Sequence, residues 1–150
     1  MKPLIVLLSS FIISVFVTKI IYKKYNLELS ARIAMSIMLV FTAIGHFVFT
    51  KGMSMMIPKI IPQKELFVYL TGFFEILLAI SLLIPKFKVV SGWIFITFLL
   101  LLLPANIYAA VNNINYLKGT FDGNGLRYLW FRIPLQFFFI LWIYVSSIRN

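Results

Sequence analysis

Five polar side chains interrupt long apolar runs: His46, Glu75, Asn106, Arg132 and Gln136. Their types suit the recognition of an oxygen-bearing ligand. Arg132 carries a permanent charge on a planar fork that fits an anionic or carbonyl oxygen. Asn106 and Gln136 each offer a donor and an acceptor, enough to orient a ligand. His46, the only histidine, belongs to the residue type that exchanges a proton near neutral pH. A lone charge at the bilayer centre costs about 2.5–3.5 kcal/mol on insertion scales, so either Glu75 and Arg132 pair or Glu75 is held protonated and neutral. The same five groups also suit a plainer role, holding helices together by hydrogen bonds and ion pairing.

The elements that must carry these residues follow from composition. Of 150 residues, 62% are hydrophobic and 12% charged, and mean hydropathy is +1.01. A soluble domain uses roughly twice that share of charge, so the chain reads as an integral membrane protein. Its net charge of +10 does not indicate nucleic-acid binding. The basic residues fall mainly between apolar runs, where they set topology and meet anionic headgroups. With no cysteine and one histidine, the chain offers no disulfide, thiol relay or His-cluster metal site. The methionines of "KGMSMMIP" lack the cysteine or histidine pair that would favour copper.

Five apolar runs, near residues 4–21, 33–50, 66–84, 89–111 and 126–148, approach the ~20 residues needed to span a bilayer. The expected fold is all-α, a single polytopic transmembrane bundle over residues 1–150. The first run is long for a signal peptide and lacks a small-x-small cleavage site, so an uncleaved anchor is expected. Residues 22–32 and 85–88 read as short basic connections. Residues 51–65, with Pro58 and Pro62, read as an interfacial or re-entrant segment, and residues 112–125 as a polar, glycine-rich loop. The compact basic connections favour an N-out, C-in orientation.

Alternating helix direction then fixes depth. His46 lies about four residues from one membrane face, Glu75 about nine, Asn106 about five, Arg132 about six and Gln136 about ten, at 1.5 Å per residue. All five fall in the same half of the membrane. Arg132 and Gln136 share a helix face with Tyr128; Glu75 shares one with Thr71, Gly72 and Ala79; His46 shares one with Thr42, Ala43 and Thr50. The small residues suit close helix approach. Pro104 and Pro134 each remove a backbone donor and should kink their helices beside Asn106 and Arg132. The carbonyls they free call for donors such as Arg132 or Gln136. Tyr69, Tyr108, Tyr128, Trp130 and Trp142 fit interfacial belts or cavity walls.

The segments "AIGHFVF", "MMIPKIIPQKELFVYLTGFFEILLAISLLIP", "LLPANIYAAV" and "LRYLWFRIPLQ" together resemble, in order, the DoxX family of small bacterial membrane proteins. The resemblance covers residues 31–148. It implies a four-helix core made of the second to fifth runs, with the first helix an addition. It places the family's recurrent polar positions on His46, Glu75, Asn106, Arg132 and Gln136, and its recurrent prolines on Pro85, Pro104 and Pro134. Family functions are varied: thiosulfate–quinone oxidoreduction, partnership in membrane redox complexes and, in distant animal relatives, receptor-assembly chaperoning. The lack of cysteine departs from any thiol-relay role.

The expectation is therefore a polar intramembrane pocket for a quinone- or lipid-like ligand, in the membrane subunit of a redox system of the bacterial inner membrane. The chain shows no haem, flavin or metal signature of its own, so redox work would require an electron-carrying partner. The rival is a membrane-protein assembly factor whose polar cluster is structural. A transporter ranks below both, because no internal repeat appears. Candidate partners are the lipid bilayer, a redox or client membrane protein and a second copy of the chain, but not nucleic acid.

Overall fold

The computed structural model describes residues 2–123 and 125–149, apart from the side chains of Lys2 and Tyr128, which leaves the Tyr128 expectation outside the described residues. The chain forms helices α1 (Lys2–Tyr22), α2 (Leu27–Val48), α3 (Thr50–Met55), α4 (Lys64–Leu83), α5 (Lys88–Val111) and α6 (Leu126–Ile143). A π-helical turn, Tyr144–Ile148, follows α6 directly. Among the described residues five helices are long and apolar enough to cross a membrane: α1, α2, α4, α5, and α6 continued through the π turn.

Helix boundaries follow local chemistry. Asn26 accepts the Leu29 amide hydrogen at 3.0 Å, and Glu28 occupies the first turn of α2, two features that stabilise a helix N-terminus. The helix therefore begins at Leu27 rather than near Ile33, and the expected basic connection shrinks to residues 23–26. Arg32 is drawn from that connection into the helix and buried. At the end of α4, Ile84 is extended (φ −86°, ψ 116°), as the clash with the following Pro85 requires. Asn113 closes α5 in the left-handed region (φ 54°), while Ile114 donates to the Ala109 carbonyl at 2.9 Å. Both features belong to a Schellman stop.

Four spanning helices make a ring. Helix α2 packs on α4, α4 on α5, α5 on α6, and α6 with its π turn returns to α2. The core between them holds Met35, Leu39, Leu82, Phe95, Leu135 and Ile143. Helix α1 lies against α2 outside this ring, yet it sends Leu7 into the same core.

Glycine permits two of these contacts. A Cβ on Gly72 would lie 2.8 Å from the His46 Cβ, so α2 and α4 touch closely there. A Cβ on Gly92 would lie 2.9 Å from Ile148 Cγ1, which brings the π turn onto α5.

Residues 51–65 are partly helical. Helix α3 carries a buried Gly52 whose Cβ would fall 1.7 Å from the Tyr116 carbonyl oxygen. Helix α3 and the 112–125 loop are thus in direct backbone contact. The loop itself is pinned by an isolated antiparallel bridge between Asn115 and Thr120.

Candidate functional site

Packing is close where α2 meets α4, but the ring does not fill its α3 end. A cavity of about 430 Å³ lies there, lined by residues of α2, α4, α5 and α6 and roofed by α3 and the 112–125 loop. Four of the five predicted residues line it: His46 from α2, Glu75 from α4, Asn106 from α5 and Arg132 from α6. Glu75 and Asn106 are buried. Met53, Met56 and Ile57, with Tyr116 and Leu117, form the roof. Residues 51–65 thus cover the polar cavity, as a covering segment at the interface would.

Gln136 is the exception. It is buried and lies outside the cavity lining. Its Nε2 donates to the Leu99 carbonyl at 2.9 Å. That acceptor lies one residue before Leu100, whose carbonyl Pro104 crowds. One turn deeper than Arg132, the Gln136 Nε2 meets the backbone of α5, while its Oε1 is buried without a partner.

The expected Glu75–Arg132 pair is not formed. Among the described residues the ion pair of Glu75 is with His46, Nε2 to Oε1 at 3.4 Å. The close α2–α4 approach at Gly72 explains the choice, because it brings the histidine to the carboxylate before α6 can reach it. Thr42 donates to the other carboxylate oxygen, Oε2, at 2.9 Å. The Thr71 hydroxyl donates to the Val68 carbonyl at 2.8 Å and contacts His46 Nδ1 at 3.0 Å. His46 Nδ1 also lies 3.2 Å from the Val68 carbonyl. Since a carbonyl only accepts, Nδ1 carries a hydrogen and is the donor of both contacts.

Two threonines support the pair, a role that single-residue chemistry does not reveal. Thr42 precedes His46 by four positions and Thr71 precedes Glu75 by four, so each shares a face with one member of the pair. Across the helix contact each serves the opposite member: Thr42 holds Glu75 and Thr71 holds His46. A threonine one turn before both His46 and Glu75 is the signal the sequence offers.

Arg132 is held differently. Its Nε is buried with no hydrogen-bond partner. Among the described residues no carboxylate lies within 4 Å of its guanidinium, the His46–Glu75 pair being the ion pair found there. The arrangement therefore presents a fixed cation beside a hydrogen-bonded acid–base pair, in a chamber whose other walls are mostly apolar. No group of three or more histidine, cysteine or acidic side chains fit to hold a metal occurs among the described residues.

Fold and cavity together define a multi-pass helical membrane protein with a polar chamber in one half of its bundle. Residues 35–147 match a family described as a domain of unknown function (DUF8561), and the chain belongs to it. The match runs from the third turn of α2 through α6 and excludes α1. No curated protein and no solved structure matches the chain.

Proposed function

We propose that the chain binds a small quinone- or lipid-like ligand in the chamber roofed by α3, as the membrane subunit of a bacterial redox system. The observation that carries this reading is the convergence of His46, Glu75, Asn106 and Arg132 on one cavity of about 430 Å³. That volume lies within the roughly 300–1,000 Å³ of ligand sites, which are mostly apolar with a few convergent polar groups. The unpartnered Arg132 Nε adds to it, because a buried donor left without a protein partner implies one from elsewhere. In this reading Arg132 takes a ligand oxygen, Asn106 orients it, and the His46–Glu75 pair holds a proton at the chamber wall.

The resemblance to DoxX proteins supports the redox assignment and a location in the inner membrane, and the compact basic connections support an N-terminus out and a C-terminus in. With no cysteine available, the electrons would come from a partner protein. One observation favours the rival reading of an assembly factor with a structural polar cluster: Gln136 spends its amide on the Leu99 carbonyl.

Native mass spectrometry of wild type and Arg132→Ala, both extracted in mild detergent, tests the proposal. A discrete bound mass in wild type that is lost from the folded variant is expected. Two equally folded, ligand-free proteins would overturn it.

A further inference from the structure

We propose that the chamber selects a singly charged anionic amphiphile, whose carboxylate or phosphate oxygen binds Arg132, over a neutral quinone. The inference rests on the ligand-binding reading above and specifies the ligand's charge. It follows from counting protons and charges among the lining groups. The ionisable side chains that line the chamber are His46, Glu75, Arg132 and Tyr116.

Arg132 is always cationic. A tyrosine phenol ordinarily carries no charge near neutral pH. The His46–Glu75 pair is neutral as a unit. Nδ1 of His46 already carries a hydrogen, because it faces the Val68 carbonyl. Without a second proton, the bare Nε2 would set its lone pair against the carboxylate at 3.4 Å. One shared proton removes that repulsion, whichever of the two atoms it rests on. The chamber then has a net charge of +1, carried by Arg132.

A single positive charge without a counter-ion is costly at membrane depth. Arg132 has no carboxylate within reach among the described residues, and its Nε lacks any partner. A ligand with one negative charge cancels the excess, whereas a quinone carbonyl leaves it standing. The rest of the chamber suits a hydrocarbon chain, with walls that include Phe41, Phe67, Phe95, Phe98 and Phe139. Ile44 and Phe67 both line the chamber and are 55% and 44% exposed. Exposed apolar side chains at the chamber wall suit a hydrocarbon chain that enters from lipid.

Equilibrium binding of labelled probes to the delipidated full chain in detergent tests the inference. The probes are dodecanoate, lysophosphatidylglycerol, dodecanol and decylubiquinone. At least one of the two anions should bind tenfold or more tightly than both neutral probes, and the tighter anion identifies the head group. Arg132→Gln should abolish that preference while dodecanol binding persists, and Arg132→Lys, which keeps the charge, should retain it in weakened form. Neutral probes binding wild type as tightly as the anions would overturn the charge inference and leave the ligand site standing. No binding of any probe to folded protein would overturn both.

Discussion

Arg32 and Arg132 sit at opposite ends of the same bundle, and the surroundings of each decide what it does. At the Arg32 end the helices close on one another through small residues, and several polar groups pair within the protein, although Arg32 Nε and Ser147 Oγ are buried without a partner. Arg32 Nη1 donates to the Leu82 carbonyl at 3.4 Å. Ser91 donates to Ser81 at 2.8 Å, and Thr18 and Ser30 share a hydrogen bond of 3.0 Å. Trp142 donates to the Ala31 carbonyl at 3.0 Å while Phe11 of α1 packs edge-on against its ring at 5.0 Å, so this tryptophan ties three helices together.

At the Arg132 end the helices splay, Gly72 is the point of close approach and a chamber remains. Intramembrane polar residues are equally expensive at both ends. The difference teaches that residue type does not separate structural from ligand-binding polarity; the space left beside the residue does.

The sharpest way to break this contrast is to overfill the closed end. Gly92→Leu forces a side chain into Ile148 and Ser147, and overpacking of this kind costs about 1–3 kcal/mol. The melting temperature should fall while the amount of ligand bound per folded molecule stays constant. Loss of both together would mean that the two ends are coupled.

Gly72→Ala is smaller and acts at the other end. Its Cβ would meet the His46 Cβ at 2.8 Å, costing about 1 kcal/mol or slightly more. Here ligand binding should weaken along with stability, because the shift turns His46 away from Glu75. A titration on the folded variant measures it.

Thr42→Val removes a hydroxyl that lies 2.9 Å from Glu75 Oε2 and 3.0 Å from the Leu39 carbonyl, a loss worth about 1 kcal/mol. Thermal melts should show that modest loss, and ligand affinity should drop several-fold as the carboxylate loses its tether.

The smallest effect belongs to the 112–125 loop outside the membrane. Hydrogen bonding from the Thr120 hydroxyl holds the Asp122 carboxyl below its usual value, with Lys118 adding to the shift. A carboxyl depressed in the folded state stabilises it above the unfolded pKa, and that contribution disappears as pH falls through the folded value, in acid. Asp122 is fully exposed, so the bundle should keep its melting temperature. An NMR titration should show the Asp122 pKa rising in Thr120→Val.

Much of this contrast was legible in the sequence. Counting residues from alternating helix ends placed His46, Glu75, Asn106 and Arg132 in one half of the membrane, and they line one chamber. Depth, however, does not fix azimuth. Gln136 shares a face with Arg132 at i+4, but one turn deeper it meets the Leu99 carbonyl instead of the chamber. The Glu75 partner depended on which helices approach most closely, a property of Gly72 against His46 that single-helix faces do not contain. The expected basic connection over residues 22–32 contains Arg32, whereas the Asn26 cap starts α2 at Leu27 and carries Arg32 into the helix. The roof over the chamber depends on a contact between Gly52 and Tyr116, distant in sequence, that no local pattern encodes.

The central claim is that Arg132 is retained for a ligand and not for the fold, and the melting temperature of delipidated Arg132→Leu tests it most directly. An apolar side chain in place of an uncompensated cation relieves a cost, so the variant should melt at the wild-type temperature or above it. A fall of several degrees, comparable to that of Gly92→Leu, would contradict the account and make Arg132 part of the structural framework.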